Sequence, residues 1–185
     1  MSTDPSSLRT DARRNYERLL QSAAAIFSVE SAFIPLETIA KKAGVGIGTL
    51  YRHFPSRKAL LEAVYSDKIA ELTAQAHTLL QNAAPDKALA TWLQTAIEYS
   101  AKHGAFNDLL SLTSEDKGSP IVSAGSDLLA KAQKTGTLRD DVTIFDLLQL
   151  VNNIATNGDS EAERQRTNRL LSVIMAGLTS KTPRS

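Results

Sequence analysis

The chain has 185 residues, 42% of them hydrophobic and 22% charged, with a formal net charge of +1, three His and no Cys. That length suits one compact domain or a small head on a larger body, with a core that needs no cross-links. The absence of Cys excludes a disulfide scaffold or thiolate metal site, and three scattered His (His53, His77, His103) do not make a histidine-rich one, so no metal or other cofactor is expected.

The charge is unevenly spread. Residues 1–60 hold nine Lys/Arg against five Asp/Glu, a surplus of four that leaves the remainder at −3. A basic head on a mildly acidic body fits a local polyanion partner. No apolar run approaches the ~18 residues that span a bilayer, and the polar N-terminus lacks the apolar stretch of a signal peptide. The chain reads as cytoplasmic, with no membrane contact.

Apolar residues recur at helical spacing throughout, and no period-2 strand pattern emerges. Residues 1–9 read as an unstructured lead. A first helix over about 11–30 carries the stripe Leu19, Ala23, Ile26 and Phe27, with Tyr16 one turn earlier. Residues 31–35 break it. A short helix over 36–43 faces inward with Ile39, Ala40 and Ala43, and Gly44 ends it as a left-handed cap. Val45 and Gly46 make the turn into a third helix over 47–53, which Pro55 stops. Ser56 is a good N-cap for a fourth helix, expected to run unbroken towards residue 80.

The body reads as further helices over about 85–102, 105–112, 121–134, 143–155 and 161–178, about nine in all. A polar Gly/Pro-containing loop, expected to be mobile, covers 113–120, and 157–160 make a turn. The expected fold is therefore all-α, an N-terminal three-helix head (10–65) followed by a helical body (66–180).

The informative stretch is LETIAKKAGVGIGTLYRHFPSRKALLEAV, residues 36–64. Two short helices joined by a glycine-containing turn are the helix-turn-helix signature. The second helix opens on Gly46 and Gly48, small enough to let backbone approach a phosphate or base edge. Thr49, Tyr51, Arg52 and His53 add hydroxyl, guanidinium and imidazole donors of the kind that fix register on a duplex. Leu50 and Phe54 fall on the opposite side and should pack on Ile39, Ala40 and Val64. The Tyr51 ring is expected to pack while its hydroxyl faces out. Arg9, Arg13 and Arg14 fit either a backbone-contacting arm or a solvated helix start, and Lys41 and Lys42 fit solvent.

This stretch, above all the run AGVxxGTLYxHF followed by a basic residue, resembles the DNA-binding domain of the TetR (AcrR-like) regulators. The resemblance is strong over about 11–65 and only in outline beyond. It implies a homodimer on double-stranded DNA at a near-palindromic operator. Gly46, Ile47 and Gly48 would open the recognition helix in the major groove. Thr49, Tyr51 and His53 would hold phosphates, and Arg52 a phosphate or a guanine edge. Arg57 matches the family's phosphate-binding Lys. Where many members have Ser-Lys, this chain has Gly46–Ile47, so base readout there should be less polar, with apolar contact to a thymine methyl as one form. Many members have Thr where this chain has Pro35, which removes a phosphate contact.

In the body, Trp92, Tyr99, His103 and Phe106 are candidates to line the pocket of an unknown small-molecule effector, although helical spacing suits core positions as well. The runs IFDLLQLVNNIA and RLLSVIMAGL are apolar over most of the helix, which fits dimerisation through the last two helices. No nucleophile elbow, phosphate-cradling loop or HExxH is present, so an enzyme is not expected. The Asp140–Asp141 pair precedes a helix beginning near Thr143, where carboxylates stabilise the positive end of the helix dipole. The expected function is a ligand-responsive repressor. The rivals are a constitutive binder or activator of the same fold, and a helical small-molecule-binding module without a DNA role.

Overall fold

The computed structural model describes residues 5–29, 33–113, 116, 118–155 and 160–179, with side chains from Thr10 onward. Ten helices occur among the described residues: α1 (Pro5–Phe27), α2 (Leu36–Ala43), α3 (Ile47–His53), α4 (Arg57–Val64), α5 (Ser66–Asn82), α6 (Pro85–Lys102), α7 (Gly104–Thr113), α8 (Pro120–Lys134), α9 (Ile144–Ile154) and α10 (Glu161–Leu178). No strand occurs among them; one isolated bridge pairs Leu138 with Thr179.

The helix α1 starts at Pro5, earlier than expected, because proline is preset for a first helical turn and nothing in 6–10 opposes its continuation. Of the expected unstructured lead, residues 1–4 lie outside the described residues. So do 30–32 of the first break, 114, 115 and 117 of the loop expected to be mobile, and 156–159 of the last turn.

The head forms where α1 packs on α2, α3 and α4. Leu19, Ala23, Ile26 and Phe27 of α1 are buried in one core with Ile39, Ala40, Leu50, Phe54 and Leu60. Each of the Leu, Ile and Phe side chains contributes about 1.5–3 kcal/mol by leaving water, enough to hold helices too short to be stable alone. In the body, α5, α6 and α8 pack together, α6 also meets α7, α9 and α10, and the head joins mainly through α4 against α7. Trp92 sits fully buried there and donates its indole N–H to the Leu72 carbonyl at 3.0 Å. Gly125 of α8 runs so close that a Cβ would lie 2.7–2.8 Å from atoms of Ile144 and Trp92.

The expected single helix from Ser56 towards residue 80 is two. It breaks at Tyr65 (φ −101°, ψ 16°), which accounts for the tenth helix. No Gly or Pro forces the break. The Tyr65 ring is buried against Phe106 (centroids 5.3 Å apart) and Tyr99 (6.4 Å). Burying an aromatic is worth more than the ~1 kcal/mol of a displaced helical hydrogen bond.

The helix α9 begins after Asp140–Asp141, at the expected Thr143, which forms a capping box with Asp146. Asp141 makes a fork-to-fork pair with Arg139, both contacts at 2.5 Å. A second capping box, Ser160 with Glu163, starts α10.

Candidate nucleic-acid interface

The turn between α2 and α3 is built by one glycine. Gly44 adopts φ 65°, and its N–H reaches Lys41 O at 3.1 Å while the Val45 N–H reaches Ala40 O at 3.0 Å. That pair of bonds is the Schellman closure, and a left-handed residue there favours glycine. A Cβ on Gly44 would also meet the Arg18 guanidinium at 2.5 Å.

Gly46 and Gly48 are different. Gly46 caps α3 in extended backbone (φ −69°, ψ 147°), and Gly48 lies within the helix, so neither needs a positive φ. An added Cβ at either would meet nothing within 4 Å. The protein's own packing does not require these two positions to be small. The constraint that suits them is an outside surface brought close.

Around them, α3 splits into two faces. Leu50 and Phe54 are buried in the same core as Ile39 and Ala40, and Val64 packs on that core half-buried. Ile47 and Tyr51 are 37% and 47% exposed, Arg52 is exposed, and Thr49 is half-buried. His53 is half-buried too, edge-on to Tyr16 with ring centroids 5.9 Å apart. Its Nε2 is shielded and has no hydrogen-bond partner, so that atom does not face outward. Tyr16 in turn stacks on Phe54 at 5.1 Å and fixes the end of α3 against α1. Ser56 caps α4, accepting from the Ala59 N–H at 3.1 Å. Arg57 donates to Ile34 O at 2.7 Å, which ties α4 to the segment before α2. Of the eight residues read as DNA-facing, the structure thus places Gly46, Ile47, Gly48, Tyr51 and Arg52 on one open face. Thr49 and His53 stand at its edge, and Arg57 has at least one N–H engaged inside the head.

The body holds a cavity of about 790 Å³ between α4, α5, α7 and the segment leading into α8. Its walls are largely apolar, among them Ile69, Ala74, Leu109 and Ile121. None of the four residues read as pocket-lining faces it. Trp92 and Phe106 are fully buried. The Tyr99 ring lies tilted 4.2 Å from His103 and meets Phe106 edge-on at 4.8 Å, with the Lys68 ammonium 4.6 Å from its ring. Burial raises the Tyr65 hydroxyl to about 12 and the Tyr99 hydroxyl in the same direction. Burial, then Lys102 and Lys68, lower the His103 imidazole. Trp92 is core within the body, Phe106 is core beside Tyr65 of the junction, and Tyr99 and His103 are half-buried beside it. The uncharged part of the cavity wall is mostly Ala, Ile, Leu and Thr, residue types that carry no local signal, and its grouping depends on α4, α5, α7 and the segment into α8 meeting.

At the head end of the cavity the Lys58 ammonium pairs with Asp116, and Glu62 stands 3.6 Å from it. The Asp116 hydrogen bond holds Lys58 above the usual lysine range, and the same contact holds Asp116 below the usual carboxylate range. On the far side of the body, α9 and α10 leave apolar surface in the open: Leu150 is 42% exposed and Val173 69%, and a Cβ on Gly177 would meet nothing. Among the described residues no group of three His, Asp or Glu is arranged to hold a metal ion, and no helix is long and apolar enough to cross a membrane.

An exposed second helix behind a glycine turn, carried on a wholly helical body, defines a helix-turn-helix DNA-binding regulator. Comparison with known proteins narrows the class. The profile of the "bacterial regulatory proteins, tetR family" matches residues 34–64, and that of the "transcriptional regulator SbtR-like, C-terminal domain" matches 84–180. A TetR transcriptional regulator of Streptomyces coelicolor is 33% identical, with 90% of this chain and 99% of that one covered and a TM-score of 0.55. RolR, solved with resorcinol, shares the fold at 16% identity and a TM-score of 0.62, over 94% of this chain and 91% of its own. HTH-type transcriptional regulators of Staphylococcus aureus are 41% identical over 54 residues, a match spanning 29% of this chain and 29% of those curated relatives. The chain belongs to the TetR family of transcriptional regulators.

Proposed function

We propose that the chain is a cytoplasmic, ligand-responsive repressor that binds a near-palindromic DNA operator as a homodimer. The head (10–65) reads DNA and the body (66–180) pairs and senses. The observation that carries the reading is that Gly46 and Gly48 open onto empty space, as close approach of a groove requires. In this reading Gly46, Ile47 and Gly48 enter the major groove, with Ile47 making apolar contact to base edges. Thr49, Tyr51, Arg52, His53 and Arg57 position the phosphates. His53 can do so only through Nδ1, and Arg57 only with guanidinium N–H groups not engaged inside the head. Pairing through α9 and α10 covers Leu150, Val173 and the open side of Gly177. It presents two α3 helices to half-sites ~34–36 Å apart or a multiple of that. An effector in the α4–α5–α7–α8 cavity shifts the heads only by its differential affinity for the two arrangements.

Selection of duplexes from a random pool, followed by mass measurement of the complex, tests this. An inverted repeat holding two chains is expected; failure to bind any duplex at low salt overturns it and favours a helical binding module without a DNA role. Transcript levels after gene deletion then separate repressor (neighbouring transcripts rise) from activator (they fall). A small-molecule library screened for release of the selected operator tests the cavity, and no release by any member leaves a constitutive binder.

A further inference from the structure

The cavity has a polarity that bears on what fills it. It runs along one side of α5 from Ser66 to His77, about 16 Å at 1.5 Å per residue. Its charged groups gather at the Ser66 end: Lys58 and Glu62 from α4, Asp116 from the α7–α8 connection. Two carboxylates against one ammonium leave that end with a formal charge of −1. The neighbouring Glu115 and Lys117 cancel in formal charge. All three side chains are partly shielded, at 28%, 37% and 38% exposure for Lys58, Glu62 and Asp116. The charges are therefore screened less than on open surface.

Two of the wall hydroxyls offer an anion no proton: Thr73 donates to Ile69 O at 2.8 Å and Thr113 to Leu109 O at 3.0 Å. Lys58 is the charged donor at that end, and it already serves Asp116 and Glu62. An anionic guest there would strip Lys58 from its partners and leave two carboxylates beside an apolar wall, a costly arrangement. A cationic guest finds one carboxylate in excess.

We propose that the effector is a cationic amphipath whose charged end draws Asp116 from Lys58, leaving Lys58 to Glu62, and thereby releases the ion pair tying α4 to the α7–α8 connection. This rests on the cavity being the effector site. The consequence for DNA follows from the position of Lys58 in the first turn of α4. It directly follows Arg57, which holds the segment before α2. Freeing Lys58 from Asp116 loosens α4 from α7, the main seat of the head on the body. Linkage then requires operator and cation to weaken each other by the same factor.

Tetraphenylphosphonium and tetraphenylborate, nearly the same shape with opposite charge, are the probes. Titrated calorimetrically into the full chain, the cation is expected to bind about five- to tenfold tighter than the anion. The Glu62→Gln/Asp116→Asn double variant should erase that preference. Ala74→Trp, an exposed wall position on α5, should block binding without unfolding the chain. The cation, not the anion, should release the selected operator. Without any ligand, Asp116→Asn alone should lower operator affinity several-fold, since it removes the tie the effector breaks.

Equal or tighter binding of the anion, blocked by Ala74→Trp, overturns the charge assignment and leaves the cavity reading intact. Binding of either ion that Ala74→Trp does not touch, or of neither, overturns the proposal, and the cavity reading is then judged by the library screen alone. Wild-type operator affinity in Asp116→Asn overturns the release step.

Discussion

The head and the body of this molecule carry their function in opposite ways. In the head, the proposed reading surface is one short helix whose glycines, aromatics and basic residues are contiguous in sequence and mostly open to solvent. In the body, the conspicuous residues are buried: Trp92 and Phe106 are fully enclosed, and the cavity is walled by residues without any signature. A surface that must touch DNA is selected for what it leaves exposed. A cavity is what remains when several helices fail to close on one another, so its lining is set by packing partners far apart in the chain. The difference predicts that substitutions in the two regions separate stability from recognition.

The largest effect belongs to the body. Trp92→Ala removes a fully buried indole and its hydrogen bond to the Leu72 carbonyl. A loss of about 3–5 kcal/mol is expected, read as a lowered midpoint in urea. Any chain that remains folded should select the same DNA sequence as wild type. A shift in the selected sequence would break the separation between the regions.

Gly48→Ala is the mirror case. The added methyl meets nothing in the protein, and alanine favours a helix over glycine by up to about 1 kcal/mol. The variant should be as stable as wild type or more so. Operator affinity should nevertheless fall by roughly tenfold, the ~1.4 kcal/mol that one misplaced groove contact costs. Greater stability with unchanged DNA affinity would move the close approach away from Gly48 and sharpen the comparison against the proposed docking.

Arg52→Ala should do less. The side chain is exposed and is read as a phosphate or guanine contact. A phosphate role predicts a few-fold loss across all sequences and a salt slope about one unit shallower. A guanine role predicts relaxed preference at one base pair with the slope little changed. Fluorescence anisotropy over a salt series, with matched and mismatched duplexes, separates the two.

How much of this was legible in the sequence tracks the same division. The boundaries of α2 and α3, the Gly44 cap, the Ser56 cap and the buried side of α3 follow from local rules, and the structure has them where those rules put them. The break at Tyr65 was not legible, since no Gly or Pro marks it. It depends on Tyr99 and Phe106, more than thirty residues away. Pro5 starting α1 was available as a signal and outweighed by the polar composition around it. The pairing of Lys58 with Asp116 joins α4 to a segment beyond α7, and no pattern in either stretch announces it. Periodicity spoke for a buried place for Trp92 and Phe106 and could not tell a core wall from a cavity wall, because both are apolar at the same spacing.

The junction offers the finest test, because it belongs to both regions. Tyr65 is enclosed by Tyr99 and Phe106 where α4 meets α5, and burial lifts its hydroxyl to about 12 from an ordinary 10. The neutral phenol is therefore favoured in the folded chain relative to the unfolded one. For an acid whose folded value is raised, the stabilisation is fully present below the unfolded value and is lost as pH climbs from 10 towards 12. Tyr65→Phe keeps the ring and removes the titration. Wild type should lose stability on raising the pH from 9 to 11, and the variant should lose less over the same interval, measured by urea midpoints. Across that range only part of the Tyr65 shift is expressed, so the difference is the smallest of those expected here. If the two chains run parallel, the phenol is hydrated in the folded state, and the break at Tyr65 then needs a cause other than the burial of its ring.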